Sequence, residues 1–552
     1  MAVPAEFRSQ QAPVIVVGSG VAGLACALAL APVPVILITK TTEFAGGSSL
    51  LSQGGIAAAL GPTDSPRQHA ADTLRAGGEL SERHVVESVV RDGMEAVREI
   101  IAAGFRADRS PDGSLALGRE GAHSRSRIVH ARGDTTGPAL VATLLDRVSR
   151  TPSIELLPAT LALDLLVENG RIAGLFAYRS GAGPIVFATP SIVLATGGAG
   201  SLWLETTNPA EATGDGLALA ARARAQLADL EFVQFHPTAL IPRVRSAGAR
   251  LPLMTEALRG AGARLLDARG IPFMSREHAL GDLAPRDVIA RAIWRRRSAG
   301  EPVVLDLRPV FANGGRDAFP QALALCREAG YEPLRAPVPI TPAAHYHMGG
   351  VLADEGGRTS IPGLWACGEI ASTGMHGANR LAGNSLLEAL VSAHRVADAL
   401  RRCATSRHER APGTSASSLM LHQFGDEPLD ALRERLRTLM SRHVGIIRHG
   451  AGLSSATAML EQLQEEFEAQ GSPASPDRQH EFERIRSWSE LGNMLLVSRL
   501  VTLAALRRTE SRGAHFRSDF PHSRENWMHR QITSVADLES LQSIPAVEGR
   551  AG

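Results

Sequence analysis

The sequence predicts an α/β fold: a Rossmann-type dinucleotide-binding domain, interrupted by an insert of different texture and followed by a helical domain. Three observations predict it. Gly18-Ser-Gly20-Val-Ala-Gly23 joins an apolar strand to an apolar helix near the start of the chain. Two more apolar strands from distant segments end in glycine, at LATGGAG (194–200) and GLWACGEI (363–370). Apolar residues then recur at helical spacing from Leu429 onward.

Taken in order, PVIVVGSGVAGLACALALAPVPVILITK (13–40) reads as strand, glycine turn, helix and second strand. The glycines let the backbone approach a pyrophosphate at the helix N-terminus, where free N–H groups and the helix dipole favour negative charge. A lone GxGxxG is weak evidence, but the strand-to-helix context makes it strong. Residues 12–39 carry no charge, yet glycines and prolines punctuate them and no basic region immediately precedes, so a membrane or signal segment explains them less well. The second strand ends in Thr39-Lys40 where a plain NAD site has an acid. That leaves a flavin dinucleotide open. Lys40 either reaches a phosphate or ribose or is an exposed strand end.

GGSSLLSQGGIAAAL (46–60) follows, small residues able to lie close against a flat cofactor, ahead of a helix-like stretch. The four strand ends together imply one parallel sheet whose carboxyl edge holds the ligand. From 227 to 345 proline, arginine and histidine become frequent, which marks an inserted domain over the cofactor. The first domain is therefore discontinuous, 1–226 plus 346–403. In HGANRLAGNSLLEAL (376–390), Ser385-Leu-Leu-Glu388 fits a capping box, so a helix begins near Asn384 or Ser385 beside Arg380. Residues 404–418 read as a linker. A helical domain (419–535) follows, with helices around 429–444, 453–470 and 478–508, packing on the rest and carrying no chemistry. Residues 536–552 read as a tail.

At 552 residues, two to four structural units are expected. The formal net charge of +1 gives no reason to expect nucleic acid or an anionic membrane as partner. Cys26, Cys326, Cys367 and Cys403 lie far apart without metal-ligand spacing, which suits a reducing, cytoplasmic setting and no metal.

Motifs running from 14 to 521 carry a resemblance: GSGVAG, SSLLSQGGIAA, REGAHSRSRIVHA, LATGGAG, EFVQFHPTAL, TEALRG, LAPRD, PAAHYHMGG, TGMHGANRLAGNSLLEAL and ESRGAHFRSDFP. The chain resembles the succinate dehydrogenase/fumarate reductase flavoprotein family, and within it the L-aspartate oxidases. The resemblance implies an α/β Rossmann-type FAD-binding domain, an inserted α+β capping domain (227–345) and a C-terminal helical domain. It implies FAD contacts at Gly18, Ser19, Gly20, Val21, Ala22, Gly23 and Lys40, which matches a lysine of the aspartate oxidases. Further contacts are implied along Ser48, Ser49, Leu50, Leu51, Ser52, Gln53, Gly54 and Gly55, and at Asp215, Glu369, Ser385 and Leu386. Ser48 stands where the membrane-linked dehydrogenases have the histidine bonded to flavin, so FAD is expected to be non-covalent.

The same motifs supply donors: Arg286, Arg380, His236, His345 and the Thr255 hydroxyl. Two arginines and two histidines around one pocket call for a doubly negative ligand, and guanidinium forks match carboxylates. Glu120 is the odd charge, suited to a substrate ammonium; its plain alternative is a pair with Arg119 or Arg125. The implied reaction is hydride transfer from Cα of L-aspartate to FAD N5, giving iminoaspartate for quinolinate synthase in NAD biosynthesis. The reduced flavin then passes electrons to O2 or fumarate. The helix start at Ser385 is expected to face the pyrimidine edge of the flavin. For fumarate reduction, Arg286 is the implied proton donor, relayed by Glu256 and Arg259. Ala261 stands where the family often has glutamate, which touches the same route. No group marks itself as acceptor of the amine proton. A soluble fumarate reductase and a non-catalytic flavin-carrying subunit are the alternatives.

Overall fold

The computed structural model describes residues 12–44, 46–246, 248–312, 314–404, 429–470 and 481–542. Its central sheet has five parallel strands, in the order Leu364–Ala366, Ile192–Leu194, Val14–Val17, Val35–Ile38 and Ile154–Leu157. Parallel strands are covered on both faces, and alternate side chains serve opposite faces. Thus Ile15, Val17, Ile36 and Ile38 enter one apolar core, and Val14, Val16, Val35 and Leu37 another. Helices Val21–Leu30, Arg83–Ala102, Thr136–Ser149 and Asn384–Ala404 close the second core. An antiparallel sheet (Thr160–Glu168, Arg171–Arg179, Gly183–Ala188), the helix Asp215–Arg222 and the C-terminal helices close the first. Each leucine or isoleucine so buried contributes about 1.5–3 kcal/mol, which makes this sandwich a rigid base for the site.

The first turn explains its glycines. Gly18 has φ 112°, and a Cβ there would overlap the Ala195 carbonyl. A Cβ at Gly23 would overlap the Gly18 carbonyl oxygen, so that glycine sets how closely helix and strand pack.

The insert has its own antiparallel sheet, in the order Val233–Leu240, Val338–His347, Val304–Asp306 and Arg264–Leu266. Leu240, Leu258, Ile289, Ile293, Leu305 and Ile340 form its separate core. Leu227–Ala228, expected inside the insert, instead pairs with Gly350–Leu352 and Ile532–Thr533.

The C-terminal helices are Leu429–His443, Gly450–Ala469 and Glu481–Arg507. The last is long and apolar enough to cross a membrane, but most of its apolar stretch is buried inside the molecule. Two readings need correction. Val535–Gln542, placed mostly in the tail, is a helix with Leu538 in the core. The stretch after Gln53-Gly54-Gly55 is extended, not helical: Ile56 pairs with Val129, and Ala57 N–H donates to the Gly383 carbonyl. Its backbone groups are taken by neighbours distant in sequence, which helical periodicity does not reveal. The 404–418 linker lies, from 405 on, outside the described residues.

Candidate active site

A cleft of about 1950 Å³, open solvent included, runs along the carboxyl edge of the parallel sheet and beneath the insert. Its lining divides into a part of glycines and small side chains and a part of long charged side chains.

Gly18, Ser19, Gly20, Val21 and Ala22 floor one half. The Val21 N–H at the helix start donates to Ser49 Oγ at 3.1 Å, and Ser48 Oγ donates to Asn208 Oδ1 at 3.0 Å. Ser48, Ser49, Leu51, Ser52, Gln53, Gly54 and Gly55 line the cleft; Leu50 does not and packs among the helices. Gly23 is likewise outside, one layer behind. Lys40 is no exposed strand end. Its Nζ lies 2.6 Å from Asp215 and 2.7 Å from Glu490. Burial opposes its charge, but those two carboxylates outweigh burial and raise its pKa. Asn493 Nδ2 also donates to Asp215 at 2.9 Å. The helical domain, expected to pack on the rest and carry no chemistry, holds Lys40 and Asp215 through Glu490 and Asn493. Glu369 accepts the His347 N–H at 3.0 Å, and burial pushes its carboxyl up to about 7. Ser385 and Leu386 line the cleft at the helix start. A glycine floor, small side chains and a serine at 48 fit a non-covalent FAD.

The other half gathers the donors. Arg286 heads the helix Arg286–Ser298, and its Nε donates to Glu256 Oε2 at 2.6 Å. Glu256 also takes Arg259 Nη2 at 2.8 Å. Burial alone would raise Glu256, but the two guanidiniums hold it down at about 2. Arg259 itself lies behind Glu256, not on the cleft wall. Ala261, expected to touch the proton route, is exposed at the end of the short helix Glu256–Gly260 that carries Glu256 and Arg259.

His236 and His345 meet edge to face, ring centroids 5.0 Å apart. The pairing of Val233–Leu240 with Val338–His347 skips His345: Gln234 faces Tyr346 and Phe235 faces Ala344. Such a bulge re-aims one side chain, and here it turns His345 toward His236. Burial, then the nearby cationic side chains, holds both imidazoles well below the usual histidine range, so both are neutral. Because His236 Nδ1 accepts the Thr238 N–H at 3.3 Å, its proton sits on Nε2. Thr255 is fixed by Gln53, which accepts its N–H at 3.2 Å.

Glu120 pairs with neither Arg119 nor Arg125. Arg119 donates to the His123 carbonyl, while Glu120 Oε2 lies 3.8 Å from Arg286 Nη2. Glu120 is 3% exposed, and its Oε1 has no hydrogen-bond partner among the described residues. Burial, then the charge of Glu256, raises its carboxyl to about 7 despite Arg286 and Arg380. Its loop is anchored by buried Arg127, bonded to Asp64 and Asp72 at 2.8 and 2.7 Å. Arg380 stands on the same cleft, its Nη1 donating to Ser385 Oγ at 2.8 Å. The helix starts at Asn384 as expected, but no capping box forms: Glu388 accepts from Thr373 Oγ1 at 2.7 Å and lies 2.8 Å from His376 Nε2.

A model of FAD binding domains matches residues 13–386, and one of the fumarate reductase flavoprotein C-terminus matches 433–546. An L-aspartate oxidase of Mesorhizobium japonicum is 46% identical, with 92% of each chain covered. One of Nostoc sp. is 42% identical, covering 98% of this chain and 96% of its own. The chain belongs to the L-aspartate oxidase family. FAD is its cofactor. Among solved structures, an E. coli quinol fumarate reductase superposes with TM-score 0.86 at 30% identity, over 95% of this chain and 94% of its own. Mycobacterium smegmatis Sdh1 gives 0.82 at 32%, over 94% and 90%.

For this L-aspartate oxidase family member, the motifs assign no role to several residues at or just behind the cleft wall. Gln234 accepts from Arg286 Nη1 at 2.9 Å and donates to the Arg380 carbonyl and Asn379 Oδ1, each at 2.8 Å, so it ties the two arginines together. It lies two residues before His236 on one strand, hence on the same face, a signal the sequence does carry. Thr207 Oγ1 lies 2.9 Å from His345 Nδ1, and Tyr346 lines the cleft beside Arg380. No local pattern announces those two.

Proposed function

We propose that the protein oxidises L-aspartate to iminoaspartate, with the residues above in the roles their geometry favours. FAD, held by the Gly18–Ala22 turn, the Ser48–Gly55 loop and the helix start at Ser385, would supply the hydride acceptor. Arg286 and Arg380 hold the substrate carboxylates, assisted by N–H from His236 and His345 and by the Thr255 hydroxyl. Arg286 and Arg380 on the cleft, with Arg259 behind Glu256, outnumber the carboxylates Glu120 and Glu256, so the site carries surplus positive charge for a dianion. Neutral imidazoles donate without adding to that charge. Holding the substrate rigidly removes much of the orientational barrier.

The observation that carries the reading is Glu120: a buried carboxylate on the cleft with one oxygen unpaired. An ammonium fills that need, and a plain dicarboxylate leaves it unfilled. Anaerobic L-aspartate should bleach the flavin, with peroxide forming in air; bleaching by succinate but not by aspartate would overturn the reading.

Reduced enzyme passes its electrons to O2, giving H2O2, or to fumarate, giving succinate. For fumarate, the Arg286–Glu256–Arg259 chain offers a continuous path for the proton that Arg286 delivers. We place the protein in the cytoplasm at the first step of NAD biosynthesis, with quinolinate synthase consuming the iminoaspartate.

A further inference from the structure

The two substrate-facing arginines are compensated differently. Arg286 has Glu256 at 2.6 Å and Glu120 at 3.8 Å. Arg380 is 4% exposed, yet no carboxylate oxygen lies within 4.0 Å of its nitrogens among the described residues. Its Nε is buried without a partner. What lies against it is an aromatic face: its Cζ sits 4.6 Å from the centre of the Tyr346 ring.

The ring is itself held. The Tyr346 hydroxyl lies 3.1 Å from His376 Nε2 and donates to Glu388 Oε2 at 3.4 Å. His376 and Glu388 are joined at 2.8 Å, and the His376 ring meets Tyr346 edge-on at 89°. All three are buried, and Tyr346 alone of them lines the cleft.

We propose that Tyr346 is the positioning residue for Arg380, its ring face standing in for the counter-carboxylate that the buried guanidinium lacks. The inference rests on the reading that Arg380 grips a substrate carboxylate. A paired carboxylate would occupy the N–H fork and compete with the substrate. A π-face attracts the cation without using any N–H donor, so the N–H groups that Arg380 does not give to Ser385 stay available while its plane is fixed. The His376 ring, packed edge-on against Tyr346, keeps the face turned toward Arg380.

The test uses holoenzyme and succinate as probe, with binding read from the flavin absorbance change. Tyr346→Leu is expected to weaken succinate about 10–30-fold and to raise KM for aspartate similarly, with kcat changed less than about threefold. Tyr346→Phe keeps the face and should stay within about threefold of wild type. FAD content and melting temperature are recorded for each variant, and Tyr346→Met replaces the leucine variant should that one not fold. Wild-type succinate affinity in the leucine or methionine variant overturns the proposal. So does a phenylalanine variant as weak as the leucine one, which would assign the effect to the hydroxyl. Arg380→Gln separates the two claims: unchanged succinate affinity there removes the reading of Arg380 itself, whatever Tyr346 does.

Discussion

The two halves of the cleft are built on opposite plans. The cofactor half is mostly backbone and small side chains, and its Lys40 is matched by two carboxylates within 2.7 Å. The substrate half is mostly long side chains, and among the described residues two of its charges are left short of partners: Glu120 with a bare oxygen, Arg380 with no carboxylate oxygen within 4.0 Å. Unpaired buried polar groups cost free energy, typically about 1–3 kcal/mol each and more when charged. A protein that settles Lys40 so completely and leaves Glu120 and Arg380 unsettled has placed that cost where a ligand can relieve it.

Breaking the unsettled half should have the largest effects on turnover. Arg380→Gln should lower kcat/KM for aspartate about 10²–10³-fold, as loss of one partner of a buried charge pair costs roughly 2–5 kcal/mol. FAD content should stay near one per chain. Glu120→Gln should lower kcat/KM for aspartate about 10–100-fold and affect fumarate reduction far less. The acid form of Glu120 cannot hold an ammonium, and its carboxyl sits near 7 in the free protein. Wild-type kcat/KM for aspartate should therefore fall about tenfold per pH unit below 7, a limb set by this group's protonation, and fumarate reduction should lack it. If the limb survives in Glu120→Gln, another group owns it.

Changes in the settled half should act on stability and loading instead. Gly23→Ala puts a methyl against the Gly18 carbonyl and should cost about 1–3 kcal/mol in urea unfolding, with weaker FAD retention. The smallest effect is expected from Glu490→Gln, because Lys40 keeps Asp215: about 1 kcal/mol, a few degrees at most in melting temperature, and unchanged KM for aspartate. A large KM change there would dissolve the distinction between the halves.

The same contrast governs what the sequence discloses. Gly18 and Gly23 are legible because backbone geometry admits almost nothing else. The strand ends at Ala195-Thr-Gly-Gly and Cys367-Gly-Glu are legible because a strand running into glycine has few other meanings. Arg286, Arg380, His236 and His345 are visible as donors within motifs, but their pairing is not: the bulge that turns His345 depends on the strand opposite. Lys40 was ambiguous because Asp215 and Glu490 arrive from remote segments. Glu388 looked like a capping residue because local spacing says so, yet Thr373 and His376 claim its oxygens. Long-range competition for a polar atom is invisible to any window read along the chain.

Lys40, Asp215, Glu490 and Asn493 meet at one point although they come from widely separated stretches, the last two from the helix Glu481–Arg507. Chimeras that exchange the C-terminal helices between relatives would therefore have to carry this quartet as a matched set. A crossover placed between Lys40 and Asp215 takes the cation from one parent and both carboxylates from the other, so cofactor retention, not substrate choice, is the property such recombinants should lose first.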